Sequence, residues 1–143
     1  VVAYRARINR LMAAADIIKL SDEDLHWMEG EGDLAELAKG LVAKGAKLVC
    51  ITEGAKGVTG YSAEHTVFVP SERAVVVDTV GAGDTFNSGT LAGLDRAGAL
   101  TKERIANLSA EEIHAALHLG VRVAAVTVSR AGANPPTAAE LGL

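Results

Sequence analysis

The segment Asp78-Thr-Val-Gly81-Ala-Gly83-Asp84-Thr-Phe86 carries the strongest chemical signal in this chain. It follows a β-branched run, Ala74-Val-Val-Val-Asp78, and leads into a helical pattern over about residues 83–97. Its two glycines allow a sharp turn with no Cβ in the way. A helix beginning there aims unbonded N–H groups and the positive end of its dipole at one point, which suits an anion such as phosphate. Asp84 stands at the lip of that cradle. A carboxylate so placed can accept a proton from an alcohol while the amides hold developing phosphoryl charge. On residue types alone, the segment is equally an ordinary strand–turn–helix with Asp84 as a helix-start acid.

A second turn, Thr52-Glu-Gly54-Ala-Lys-Gly57, also follows a strand pattern and falls on the same carboxyl-end edge of a parallel sheet. Ligands bind along such an edge, and two turns on it can hold the two ends of a nucleotide. The plainer reading is a tight hairpin turn with Lys56 in solvent. Other signatures are missing from the sequence. There is no Gly-x4-Gly-Lys-[Ser/Thr] loop, and no Gly-x-Gly-x-x-Gly turn of the dinucleotide-binding kind, which argues against an oxidoreductase domain. His114 and His118 lie four apart, but no Glu stands where a zinc hydrolase needs it. His26 and His65 read as surface residues, Trp27 as packing, and Cys50 as a small core hydrophobe.

The elements that must position these turns follow from periodicity. Tyr4, Ile8, Leu11 and Met12 mark a helix over residues 1–14. Asp16-Ile-Ile-Lys-Leu20 reads as a short buried strand. Ser21, with Asp24 three residues on, reads as a helix N-cap. Leu34, Leu37, Ala38, Leu41 and Val42 give an amphipathic helix ended by Gly45. Lys47–Thr52 is a strand, residues 57–61 and 65–69 a strand pair, and Ala74–Asp78 a further strand. Ser109 and Glu112 form a capping box at the head of a helix over 109–125. Pro135-Pro136 ends regular structure. This alternation predicts an α/β sandwich with a mostly parallel sheet, in one domain.

Composition narrows the class. The 143 residues carry 14 Lys+Arg and 18 Asp+Glu, for a formal charge of −4, and 49% are hydrophobic. The acid excess argues against a dedicated nucleic-acid binder, which needs clustered Lys and Arg. No apolar run approaches the roughly 20 residues that cross a bilayer. A single cysteine forms no intramolecular disulfide or Cys-based zinc site, and points to a reducing cytoplasm. The chain opens on Val1 in mid-helix, without a secretory leader, which suggests a fragment.

With both turns in place, the chain resembles the C-terminal, nucleotide-binding half of a ribokinase-like (PfkB) carbohydrate kinase, over essentially all of residues 1–143. Asp78–Phe86 is similar to that family's second signature, and Thr52–Gly57 to its nucleotide turn. Asp16–Asp24 and Ser129-Arg-Ala-Gly-Ala-Asn-Pro-Pro136 most resemble the bacterial fructokinase branch. The resemblance implies a three-layer α/β/α sandwich without the family's N-terminal half and lid. It implies ATP-dependent phosphorylation of a small sugar, fructose to fructose 6-phosphate. The other readings are a related kinase of a sugar acid, ribose or a nucleoside, or a silent nucleotide-binding fragment. It also implies a homodimer at full length.

The same resemblance assigns roles. Asp84 would be the catalytic base. The N–H groups of Ala82, Gly83 and Asp84 would form an anion hole opened by Gly81. Thr52, Gly54 and Gly57 would line the ATP site. Asp78, the carbonyl of Val80 and the backbone near Gly132 would hold a monovalent cation, K+. Mg2+ would ride on the ATP phosphates. The family's Asn-x-x-Glu motif stands here as Ser21-Asp-Glu-Asp24, so Asp24 would act through water and Ser21 differs from the family's Asn.

Overall fold

The computed structural model describes residues 1–143. Helix α1 (Val2–Ala14) lies on the surface and buries none of its side chains. The Arg5 guanidinium lies 4.4 Å over the Trp27 ring and donates to the Trp27 carbonyl, and Met12 packs against the core. Strand β1 (Ile17–Ser21) follows, then α2 (Asp22–Glu29) and α3 (Leu34–Ala43). Two separate helices thus occupy the stretch from Ser21 to Gly45. Gly30, at φ +94°, breaks the first, and Asp33 caps the second by accepting from the Glu36 N–H.

Strands β2 (Leu48–Thr52), β3 (Gly57–Tyr61) and β4 (Thr66–Pro70) complete a sheet of order β1-β2-β3-β4. Pair β1/β2 is parallel, while β2/β3 and β3/β4 are antiparallel. The sheet is therefore mixed, not mostly parallel. Loop length decides this: α2 and α3 supply the crossover a parallel pair needs, whereas residues 53–56 and 62–65 are too short for anything but hairpins.

Ala74–Asp78 forms no strand, contrary to the β-branched pattern. Val75, Val76 and Val77 are 82%, 63% and 60% exposed. The run's only ordered main-chain bonds are from the Val77 and Asp78 N–H groups to the Val128 carbonyl. β-propensity measures fit to a neighbouring strand, and no strand lies alongside this run.

Three helices complete the chain: α4 (Ala82–Arg96), the single turn α5 (Lys102–Ile105), and α6 (Ala110–Val128). Ser109 and Glu112 close the predicted capping box on α6. Alternation along β2 divides the core into two layers. Leu48 and Cys50 pack with Phe86, Leu94, Ile113 and Leu117 of α4 and α6. Val49 and Ile51 pack on the other face with Leu25, Ala38 and Leu41 of α2 and α3. The result is helix, sheet, helix.

α4 and α6 touch backbone to backbone. A Cβ on Gly89 would lie 2.8 Å from the Gly120 Cα, and one on Gly93 would lie 2.8 Å from the Ala116 Cα. No side chain can yield there, so adding one carbon forces the helices apart. Overpacking of this kind costs about 1–3 kcal/mol. Gly89→Ala should therefore lower the urea midpoint of unfolding, while Gly98→Ala, on the open surface, mainly tests the local left-handed φ. An unchanged midpoint for Gly89→Ala would contradict the close contact.

Candidate active site

The carboxyl ends of β1 and β2 finish level, with Ser21 opposite Thr52. The Thr52 hydroxyl donates to the Leu20 carbonyl at 3.4 Å and ties the two ends together. Beside them lies a cavity of about 640 Å³, walled by the Thr52–Gly57 turn, the start of α4, the 71–76 segment and one face of α6. Thr52, Gly54, Gly57, Ala82 and Gly83 all line it. Phe86, Val121, Ala125 and Val128 give it an apolar wall. Such a mixture, mostly apolar with a few convergent polar groups, fits a small organic ligand.

The turn into α4 is built as the sequence predicts, by a left-handed glycine. Gly81 has φ +78°, and a Cβ there would lie 2.7 Å from the Ala133 side chain. The helix proper is closed first by the Thr85 N–H donating to the Gly81 carbonyl. The Ala82 N–H donates to the Thr79 carbonyl at 3.3 Å. The cradle thus offers two free donors, the N–H groups of Gly83 and Asp84, where three were expected. Asp84 itself is solvent-exposed in the first turn of the helix, with its side chain free of any ion pair or hydrogen bond.

Asp78 has a structural task. Its Oδ1 accepts from the Val80 N–H at 3.0 Å, and its Oδ2 from the Gly132 N–H at 2.9 Å. These bonds, Val80 first and Gly132 second, hold the carboxyl below its usual range. One side chain therefore fixes the turn before α4 to the tail after α6. The residues expected around a cation, Asp78, Val80 and Gly132, do meet here, though Val80 and Gly132 each present an N–H where a carbonyl of Val80 was expected.

Ser21 and Asp24 stand outside the cavity wall. The Ser21 hydroxyl caps α2 by accepting from the Asp24 N–H at 3.0 Å, and Asp24 is exposed. Cys50 is fully buried, and burial pushes its thiol up to about 12, so it is inert. His114 and His118 stack at 6.0 Å on the outer face of α6, and no cluster of three metal-ligating side chains occurs. No helix is long and apolar enough to cross a membrane. Polar side chains that pattern reading missed also face the cavity: Lys19, Ser71, Glu72 and Arg73. Lys19 carried one legible signal, an ammonium in the middle of an otherwise apolar strand.

A helix start presenting bare amides at a sheet's carboxyl edge, inside an α/β/α sandwich, is the arrangement of ribokinase-like kinases. A fructokinase with bound ATP from Xylella fastidiosa superposes with a TM-score of 0.79 and 27% identity, over 90% of this chain and 41% of that one. A Vibrio cholerae O395 fructokinase double mutant, in its fructose-, ADP- and potassium-bound form, gives a TM-score of 0.77 at 25% identity, over 90% and 39%. Residues 3–140 match the model for the pfkB family of carbohydrate kinases, and the chain belongs to that family. Among curated relatives, a fructokinase of Rhizobium leguminosarum bv. trifolii is 50% identical over 111 residues, 78% of this chain and 34% of that protein. A Klebsiella pneumoniae fructokinase is 39% identical over 88 residues, 61% of this chain and 29% of that protein. The chain spans about a third of the length of these two relatives.

Because the Asp78 carboxyl is depressed in the folded state, its contribution to stability is complete above the unfolded value of about 3.9. That contribution fades as pH falls through the lower folded value. The stability gap between wild type and Asp78→Ala should therefore be widest near neutral pH and shrink as pH is taken below about 4, followed by urea unfolding. A gap that is flat with pH, or that grows in acid, would contradict the assigned bonds.

Proposed function

We propose that this chain forms the phosphoryl-transfer half of an ATP-dependent sugar kinase, with fructose as the acceptor and fructose 6-phosphate as the product. One observation carries the reading: the exposed Asp84 carboxylate stands in the same helical turn as two unbonded N–H groups, at a cavity on the sheet's carboxyl edge. The 50% identity to a fructokinase supports the choice of sugar.

In this mechanism the nucleotide lies between the two turns. Its base rests on the apolar wall of Val121, Ala125 and Val128, and its phosphates run past Thr52 and Gly54 toward the start of α4. Asp84 accepts the proton of the sugar's primary hydroxyl. That oxygen bonds to the γ-phosphorus as the bond from the γ-phosphorus to the β,γ-bridging oxygen breaks, and ADP leaves with the electron pair. The N–H groups of Gly83 and Asp84, with the positive end of α4, stabilise charge on the equatorial oxygens. They cost no reorganisation, because Gly81 and the Asp78 bonds already fix the turn.

Mg2+ bound to the ATP phosphates would neutralise their charge. A monovalent cation would sit beside Asp78, whose carboxylate would supply oxygen ligands while it also accepts from the Val80 and Gly132 N–H groups. A positioned general base contributes about 10²–10⁴ in rate.

Asp84→Asn in the full-length protein should lose at least about a hundredfold in kcat while ATP affinity changes little, measured by coupled ADP release. Near-normal turnover would remove the assigned base. In a panel of fructose, ribose, 2-keto-3-deoxygluconate and cytidine, fructose should give the highest kcat/KM. A different winner would leave the chemistry standing and reject the sugar. Replacing K+ with Na+ should slow turnover, and indifference would remove the cation from beside Asp78.

A further inference from the structure

Lys19 is an anomaly in a sheet of apolar strands. It occupies the centre of β1, paired in register with the buried Cys50 of β2, and is itself only partly exposed. Ile17 and Lys19 point to the α4 side of the sheet, while Ile18 joins the opposite layer. The Lys19 side chain reaches the start of α4: a Cβ on Gly83 would lie 3.2 Å from its Nζ. It lines the 640 Å³ cavity together with Thr52, Gly54 and Gly83. It takes part in none of the ion pairs in the molecule.

A positive charge drawn partly out of water with no carboxylate to meet it is unfavourable. It is more so here, because the free amides of Gly83 and Asp84 and the positive end of α4 add to the same potential. Three sources of positive charge therefore converge beside Asp84, and no ion pair ties Lys19 to that carboxylate or to any other. A multiply charged anion removes the conflict. The spot is adjacent to Asp84, so the group that fits is the one Asp84 acts beside.

We propose that Lys19 is a further catalytic residue of the site, its ammonium donating to an oxygen of the transferred γ-phosphoryl group from the β1 side while α4 holds the group from the other. The inference rests on the kinase reading and deepens it. A lysine is suited to the role, as a compact point charge on a flexible stem able to follow the phosphoryl group as its charge shifts. A glycine at 83 is suited too, since any larger residue would press on the ammonium. The bond that forms and the bond that breaks are those of the proposed transfer. Lys19 keeps its proton throughout and is neither acid nor base.

Affinities for ADP and for a non-hydrolysable ATP analogue, adenylyl imidodiphosphate, provide the test on the full-length protein. A hydrogen bond to a charged group corresponds to about a tenfold to hundredfold change in affinity. Lys19→Met should weaken the analogue by at least about tenfold and ADP by less than about threefold, with Lys19→Arg recovering part of the loss. Equal loss for both nucleotides, or none, overturns the assignment.

Should Lys19→Met fail to fold, the wild type supplies the answer. The analogue should shield Lys19 from acetylation by acetic anhydride, read by mass spectrometry, and ADP should not. Equal shielding by the two overturns the proposal. Sugar-dependent ADP release by the wild type separates the two claims. With turnover present and nucleotide discrimination unchanged in Lys19→Met, the kinase reading stands and Lys19 falls. With no turnover on any sugar, both fall.

Discussion

The first turn of an α-helix carries N–H groups that its own backbone cannot bond, and in α4 two of them, on Gly83 and Asp84, are left unbonded, with Gly83 in the wall of a cavity. Much of the architecture serves to hold that turn where it is. Behind it, α4 is pressed onto α6 through Gly89, Gly93 and Gly120, so the axis cannot drift. In front of it, Gly81 supplies the left-handed corner against Ala133, and Asp78 fastens both the corner and the tail with two main-chain bonds. An amide that is already oriented costs nothing to aim when charge appears.

The sheet contributes position. Parallel pairing of β1 with β2 brings Ser21 and Thr52 to one level, so the chain leaves both strands at the same edge. From that edge the Thr52–Gly57 turn folds back as a hairpin and becomes one wall of the cavity, while α6 becomes another. The apolar wall and the bare helix start thus border one space, a lining matched to a nucleotide with an apolar base and a charged tail.

Much of this was legible in the sequence. The glycine corner, the exposed acid after it and the capping box at Ser109 are local features, decided by residues within one turn of each other, and they appear as read. An α/β sandwich was also readable from the alternation of strands and helices, while its three layers followed from the family resemblance. What failed was non-local. Val75–Val77 have strand composition but no neighbour to pair with. The β3–β4 pair appears as read, but the mostly parallel sheet failed, because the short 53–56 connection turns β3 back against β2. Asp78 reads as an acid near a phosphate site, and only the fold reveals that one of its oxygens bonds an N–H 54 positions further along the chain. Lys19 shows the same limit: β1 gives its place, but the Gly83 amide it approaches comes from a helix more than 60 residues later.

The most direct measurement is a titration of the isotopically labelled protein with the ATP analogue, followed through backbone amide resonances. The account requires the amides of Gly83 and Asp84 to move first and farthest, with a smaller response at Thr52 and Gly54. Amides at the head of α4 that stay still while the nucleotide binds would contradict it, since the phosphates would then be held elsewhere.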